Sequence, residues 1–505
     1  MVDERQSEIV IPQETAEEKV RRVFSPYVVR KELLQSQEIS RLPRFISEYL
    51  MSKFFSNNNE PSQEEMKKLS DFVAVHFPEM RDRDKILHDI MTSGTYTFMD
   101  EFKVETDIKA ATHRLIIPCL NIRDAKILST ILDENVDLLR SGMWGIATAK
   151  YVPEEGDGRG AKGRGGPTET SPILMTKFTP FEVVNVRLSD FASKRKEFST
   201  REWIELLITS VGLNPSAYSE HQRLLLLSRL VPLVEANSNL LEIGPKATGK
   251  TYLYRNISYS TRLISGGRVS PAVLFYNIST KAVGEIGIRD CVVLDEMNKL
   301  AFVNAEEMVG KLKDYLVDGF FERGPKKANA KASIVFMGNM EFRGSSWTTV
   351  APEPHEVINA LPAFMRDSAM LDRIHCFVPG WELPKILQSS EHLARGYGIV
   401  ADYLSELFHQ MSLTSFTDII NERVTLEGSG NASVTIRDEK AIRKLASGML
   451  KLLCPDRNCS DADLSLCMDM AVEGRRGVND LLHSLSPNEF EQKRFSYSLG
   501  MPRIS

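Results

Sequence analysis

No run in this sequence approaches the ~18 apolar residues that a membrane-crossing helix needs. The strongest stretch, LLLLSRLVPLV, is broken by Arg229 and Pro232. Cysteine is scarce: six residues (Cys119, Cys291, Cys376, Cys454, Cys459, Cys467) scattered over 505 exclude a disulfide scaffold. The last three, in CPDRNCSDADLSLC, contain no CxxC pair and have no evident fourth ligand, which argues against a zinc site there. The nine histidines form no HExxH and no i, i+4 pair. The first residues, MVDERQSEIVIPQE, are acidic and lack the apolar segment of a secretory leader. A net charge of −5 excludes a histone-like polycation but leaves room for a local basic face. These absences lead us to expect a soluble, cytoplasmic chain with no membrane partner. What is present, 42% hydrophobic and 26% charged residues, suits a globular chain of about three domains.

Along the chain, residues 1–40 read as a loose, charged lead-in and 41–151 as a mixed α/β domain. RLPRFISEYLMSKFF places Phe45, Ile46, Tyr49, Leu50 and Phe54 on one helical face. EEMKKLSDFVAVHF and DKILHDIM are also helical, whereas YTFMDEFKVET and HRLIIPCL alternate like strands. IRDAKILSTILDENVDLLRSG reads as one more helix closed by Gly142. Residues 152–171 are glycine-rich and read as a flexible linker or loop; the alternative is a basic loop touching phosphates through Arg159, Lys162 and Arg164. Residues 172–235 bring a strand, PILMTKFTPFEVVNVRL, and two helices. The first helix carries a Ser199/Glu202 capping box; the second is HQRLLLLSRLVPLVEA.

NLLEI then runs into Gly244-Pro245-Lys246-Ala247-Thr248-Gly249-Lys250-Thr251, followed by helical TYLYRNIS. This is the complete phosphate-loop pattern in its strand–loop–helix setting. Glycines let backbone N–H groups converge on phosphates at a helix N-terminus. Lys250 then reaches the β/γ-phosphates and Thr251 ligates Mg2+, so ATP with magnesium is the expected ligand. CVVLDE is a buried parallel strand ending in two carboxylates: Asp295 for the magnesium shell, Glu296 as the base that activates water. SIVFMGN ends in Asn339, placed to sense the γ-phosphate. Arg373, with Arg366 as runner-up, follows in LPAFMRDSAMLDRIHCFVPGW as a candidate arginine finger, and AVEGRRGVNDLL offers Arg475 and Arg476 for the lid's second sensor.

That order of elements is the AAA+ pattern, so residues 236–400 read as an AAA+ core with a parallel sheet between helices. Residues 401–505 read as a mainly helical lid containing a hairpin-like VTLEGSGNASVTI. Between the second and third motifs, FFERGPKKANAKASIVF makes a basic hairpin with Lys326, Lys327 and Lys331, either a DNA contact or a solvated turn. GGRVSPAVLFYNIS offers Phe275 and Tyr276 as a second pore element, though these aromatics fit a core better.

The segments ISEYLMSKF, SGMWGIATAKY, REWIELLITSVGLNP, RLVPLVEANSNLLEIGPKATGKT, LKDYLVDGFFERG, ASIVFMGN and DRIHCFVPGWELPK together resemble the Lon-like BrxL family of BREX phage-defence systems. The resemblance runs in order from about residue 40 to about residue 480. It implies a ring-forming AAA+ ATPase, a hexamer or a multiple, that binds double-stranded DNA, with a DNA-binding region ahead of the motor. Other defence-system proteins are possible partners. The LDR tripeptide around Arg373 is similar to the finger-bearing segment of Lon and minichromosome-maintenance ATPases. Longer family members carry a Lon-type protease-like domain after the lid. Here about a hundred residues follow Ala401, the size of a lid alone, and Ser429 and Ser433 sit in turn-like sequence. A short member without proteolysis is therefore the expectation. Two rivals stay open: a Lon-like protein unfoldase or protease motor, and a nucleotide-gated DNA clamp with little turnover.

Overall fold

Thr15 and Glu18 cap each other's backbone amides at the start of helix α1 (Ala16–Phe24), and the helix turns Val20 and Phe24 inward. Phe24 is fully buried among Phe191, Phe198 and Trp203. Strand β1 (Val28–Arg30) then pairs antiparallel with Tyr397–Ile399, far along the chain. The expectation of a loose lead-in over 1–40 is thus corrected: residues 14–35 are built into the protein. The charges of α1 fall on the solvent side of this short amphipathic helix, which hid its two anchors, and Lys31 beyond it is buried against Glu48. The computed structural model describes residues 14–35, 41–55, 61–108, 111–140, 142–152, 171–181, 186–341, 344–345, 348–386, 391–428 and 433–500. Arg159, Lys162, Arg164 and Ser429 lie outside the described residues.

Helix α2 (Arg44–Phe54) buries Phe45, Ile46, Leu50 and Met51, while Tyr49 is half-buried and Phe54 lies at the surface against Phe72. Five strands then close a barrel: β2 (Thr95–Asp107), β3 (Thr112–Ile117), β4 (Ile122–Ile127), β5 (Met143–Tyr151) and β6 (Ile173–Pro180), in the order β2-β3-β4-β6-β5. Phe98, Phe102, Leu115, Ile117, Ala147 and Met175 fill its interior. Gly145 is obligatory on β5, because a side-chain carbon there would stand 2.5 Å from the Phe178 ring and 2.6 Å from the Thr179 carbonyl.

Two sequence expectations change here. The segment from Ile122 begins as a strand, and only Ser129–Glu134 is α-helical, because pairing in the closed barrel overrides local helical periodicity. Strand β6 belongs to the barrel rather than to the motor: it pairs antiparallel with β5 and parallel with β4. The glycine-rich segment therefore joins two barrel strands instead of separating two domains.

Helix α3 (Thr200–Ser210) opens with the expected Ser199/Glu202 capping box and buries Trp203. Helix α4 (Glu220–Ser228) leads to strand β7 (Leu240–Gly244) and helix α5 (Lys250–Asn256). After them come β8 (Thr261–Val269), β9 (Cys291–Phe302), helix α6 (Ala305–Asp318), the hairpin β10 (Phe320–Arg323) and β11 (Lys326–Asn329), β12 (Ser333–Asn339) and β13 (Cys376–Pro379). The core sheet is parallel, in the order β13-β7-β12-β9-β8, with β7 buried at every residue. This is the parallel-sheet AAA+ core expected from the motifs.

Beyond it, helices α7 (Ala401–Ser412), α8 (Ile436–Leu453) and α9 (Asp461–Leu485) make the C-terminal region mainly helical. VTLEGSGNASVTI does not fold on itself. Val424–Gly428 pairs with Phe495–Leu499, and Thr435 caps α8 through a box with Asp438. A threonine three residues before an aspartate served the helix better than a strand. Among the described residues, no helix is long and apolar enough to cross a membrane.

Candidate nucleotide site

The carboxyl ends of the parallel strands β7 and β12, with the point on β9 where its pairing with β12 stops, define a crevice of the kind where open α/β sheets bind ligands. The phosphate loop leaves β7 at Gly244, whose Cα is so close to Gly380 that a side-chain carbon would lie 2.7 Å from that backbone. Ala247 and Gly249 both take left-handed backbone, φ 67° and 79°, which turns the loop into the first turn of α5. The buried Lys250 ammonium donates to the Gly244 and Pro245 carbonyls at 3.0 and 2.7 Å. Burial pushes it down to about 8, with Arg229 adding to the fall and Glu242 opposing it. Thr251 Oγ1 donates to Asp295 Oδ2 at 2.8 Å, which brings the two expected magnesium ligands together. A hydroxyl and a carboxylate on one spot are the oxygen donors that a magnesium ion takes alongside substrate phosphates, so these residues fit the ion.

Glu296, one residue past Asp295, has φ 48° and its amide donates to Asp295 Oδ1 at 2.8 Å. Its carboxylate meets Lys299 at 3.1 and 3.2 Å and stays one-third exposed. Asn339 ends β12 directly opposite Gly244 in the parallel register. The structure therefore gathers Lys250, Thr251, Asp295, Glu296 and Asn339 at one end of the sheet.

The arginines divide. Arg366 is exposed and donates to the Leu361 and Asn359 carbonyls. Arg373 donates to the Ala369 carbonyl, while its Nε is buried without a partner. Arg475 is corrected as a sensor: it is almost wholly buried and bound to Asp438 at 2.8 Å and Asp372 at 2.9 Å. It also donates to the Asp372 and Ile374 carbonyls at 3.2 and 2.7 Å, pinning the residues on either side of Arg373. Spacing alone could not tell its buried face from the exposed one that carries Arg476. Phe275 and Tyr276 are buried core, Phe275 packing on Tyr315 and Phe321. The basic hairpin exists, with Lys326 beside the Gly324-Pro325 turn. Lys327 pairs with Glu322 at 3.1 Å, and Lys331 lies past the hairpin at its base, where its carbonyl accepts from Asn237.

Three supports were missed in the sequence. Arg229 and Glu242 form a fully buried, two-pronged pair at 3.0 and 2.5 Å, and Arg229 also donates to the Thr248 carbonyl at 3.0 Å. The signal was a lone arginine in LLLLSRLVPLV and a lone glutamate in NLLEI. The amide of Ile386 donates to the Ala247 carbonyl at 2.7 Å, so the segment after β13 straps the loop. Arg44 on α2 bonds the Tyr252 hydroxyl and Glu48, and Glu48 also holds the buried Lys31 at 2.8 Å, linking the N-terminal segment to α5.

Arg229→Ala should destabilise the protein by about 3–5 kcal/mol, since Glu242 would be left buried and unpaired. Arg229→Met with Glu242→Leu should restore most of that stability but not ATP affinity, because Thr248 loses its tether. Urea unfolding beside nucleotide titration separates the two effects; equal ATP affinity in the double variant would deny the tether its role.

Residues 22–151 match the family described as BREX system Lon protease-like protein BrxL N-terminal, and 173–496 match Lon-like protease BrxL-like, ATPase domain. The chain belongs to the BrxL family. It is 32% identical over 476 residues to the Lon-like protease BrxL of Escherichia coli O9:H4 strain HS, covering 94% of this chain and 65% of that protein. It is 33% identical over 477 residues to the Lon-like protease BrxL of Bacillus cereus strain H3081.97, covering 94% and 68%. The chain thus spans about two thirds of the length of these BrxL relatives. The BrxL N-terminal match covers β2 to β5, and β6 of the same barrel falls at the start of the ATPase-domain match.

Proposed function

We propose that this chain hydrolyses ATP as a ring-forming, DNA-bound motor of a BREX-type antiphage system in the cytoplasm. The observation that carries the reading is the convergence of Lys250, Thr251, Asp295, Glu296 and Asn339 on one crevice. Lys250 exchanges its loop carbonyls for the β- and γ-phosphate oxygens, to which backbone N–H groups of the loop also donate. Magnesium, held by Thr251 and Asp295, supplies charge neutralisation on the phosphates. Glu296 turns from Lys299 to accept a proton from the attacking water, and Asn339 orients that water or the γ-phosphate. Arg373 completes the pocket of a neighbouring subunit, a role supported by its buried Nε with no partner within the described chain. Arg476 remains the candidate for the lid's sensor.

DNA is favoured over a protein substrate by the exposed basic hairpin and by the burial of Phe275 and Tyr276, which removes the aromatic loop that threading a polypeptide would use. The reading leaves proteolysis out, although the relatives' names include it. Double-stranded DNA should bind with little sequence preference, and log affinity should fall linearly with log salt, by ~0.9 per phosphate neutralised. Replacing Lys326, Lys327 and Lys331 together by alanine should flatten that slope by at most about three such contacts per engaged subunit. No binding at low salt, together with turnover stimulated by an unfolded protein, would instead identify a protein unfoldase; binding without turnover would identify a clamp.

A further inference from the structure

Away from the nucleotide crevice, three side chains from three separate elements converge. His221 stands in the first turn of α4, Glu382 in the turn Gly380–Glu382 after β13, and Glu473 midway along α9. The His221 Nε2 lies 3.1 Å from Glu382 Oε2 and 3.4 Å from Glu473 Oε1, and the three ligand atoms are all within 4.8 Å of one another. A four-coordinate zinc ion with bonds of about 2.0–2.1 Å holds its ligand atoms about 3.3 Å apart. One imidazole N–H cannot serve two carboxylates at full strength, and even a charged imidazolium leaves the trio net negative. A divalent cation in place of that proton would be held by all three.

The ligands are also pre-positioned. The turn bearing His221 is fixed by the Ser219–Gln222 capping box, with bonds of 2.9 and 3.3 Å. Gln222 Nε2 then donates to the Glu382 carbonyl at 2.7 Å, tying the same turn of α4 to the second ligand's backbone. Two exposed carboxylates alone would be a common surface feature; the imidazole nitrogen between them favours a zinc-class ion over magnesium or calcium.

We propose that His221, Glu382 and Glu473 form a zinc-class divalent-cation site that fastens the strap over the phosphate loop to helix α9. Glu382 is two residues from Gly380, whose backbone abuts Gly244, and four from Ile386, whose amide holds the Ala247 carbonyl. Glu473 is one helical turn from Arg476, so an ion here would set the distance between the strap and the sensor helix. The fourth position stays open to water. The site stands on its own ligands and does not depend on ATP turnover.

The test is calorimetric titration of the full chain with Zn2+ alone, in excess Mg2+ to occupy Thr251 and Asp295, with Co2+ as a spectroscopic stand-in. One ion per chain is expected, at least tenfold weaker in His221→Ala and in Glu473→Gln, the latter keeping size and shape should the former fail to fold. Bound Co2+ should give tetrahedral visible bands without a sulfur charge-transfer band. Equal affinity in the parent and in the Gln variant would overturn the proposal. So would a sulfur band, which would put the ion on cysteine.

Discussion

Glutamine in place of Glu296 is expected to leave ATP bound while hydrolysis falls by ~10²–10⁴, the usual contribution of a positioned general base. The amide keeps the length of the side chain and can still accept from Lys299, but it cannot take a proton from water. Every group proposed to grip the phosphates stays in place: Lys250, the loop amides and the Thr251–Asp295 pair are untouched. The backbone strain is also unchanged, since φ 48° at this position is held by the Asp295 carboxylate accepting from the residue's amide. Nucleotide affinity and single-turnover phosphate release, measured on the same preparation, separate binding from chemistry. A variant that hydrolyses at the parent rate would remove Glu296 from the base's role and leave Asp295 or a water chain to be tested.

The candidate-site positions legible in the sequence were those whose proposed chemistry demands fixed spacing along a strand or at a helix start. Lys250 and Thr251 must open the helix after β7; Asp295 and Glu296 must end a buried strand; Asn339 must end the strand between them. Each constraint is local. Lys250, Thr251 and Asn339 stand where it puts them, whereas Asp295 and Glu296 do not end their strand: they follow its buried half, where pairing with β12 stops, and β9 runs on to Phe302 alongside β8. What stayed hidden depends on partners distant along the chain. Arg229 reads as an interruption of an apolar helix until β7 places Glu242 opposite it. Glu48 reads as a helix-surface residue, yet it is fully buried beneath Lys31, Arg44 and the amide of Ala401. β4 carried a helical pattern, and barrel closure overruled it. Arg475 was misread for the same reason: in a run of two arginines, only packing decides which one turns inward to Asp372 and Asp438.

That burial of Arg475 sharpens the remaining prediction, because it fixes the backbone around Arg373. Asp372 and Ile374 are both held by the Arg475 guanidinium, so the segment presents Arg373 from a rigid base rather than a loose loop. Arg373→Ala should leave ATP affinity in the subunit's own pocket unchanged and lower turnover by ~10³–10⁵, the range for a finger that meets the transition-state charge of a neighbour's nucleotide. Arg366→Ala should do less, as that guanidinium is held by the Leu361 and Asn359 carbonyls. The decisive form is mixing. Arg373→Ala subunits keep an intact pocket, Lys250→Ala subunits keep an intact finger, and a ring containing both forms some interfaces where the two intact halves meet. Turnover should then recover part of the way, rising and falling with the mixing ratio. If exchange of subunits is verified and no activity returns, Arg373 acts within its own chain. Its buried Nε would then need a partner there, brought in by a rearrangement of the Ala369 turn.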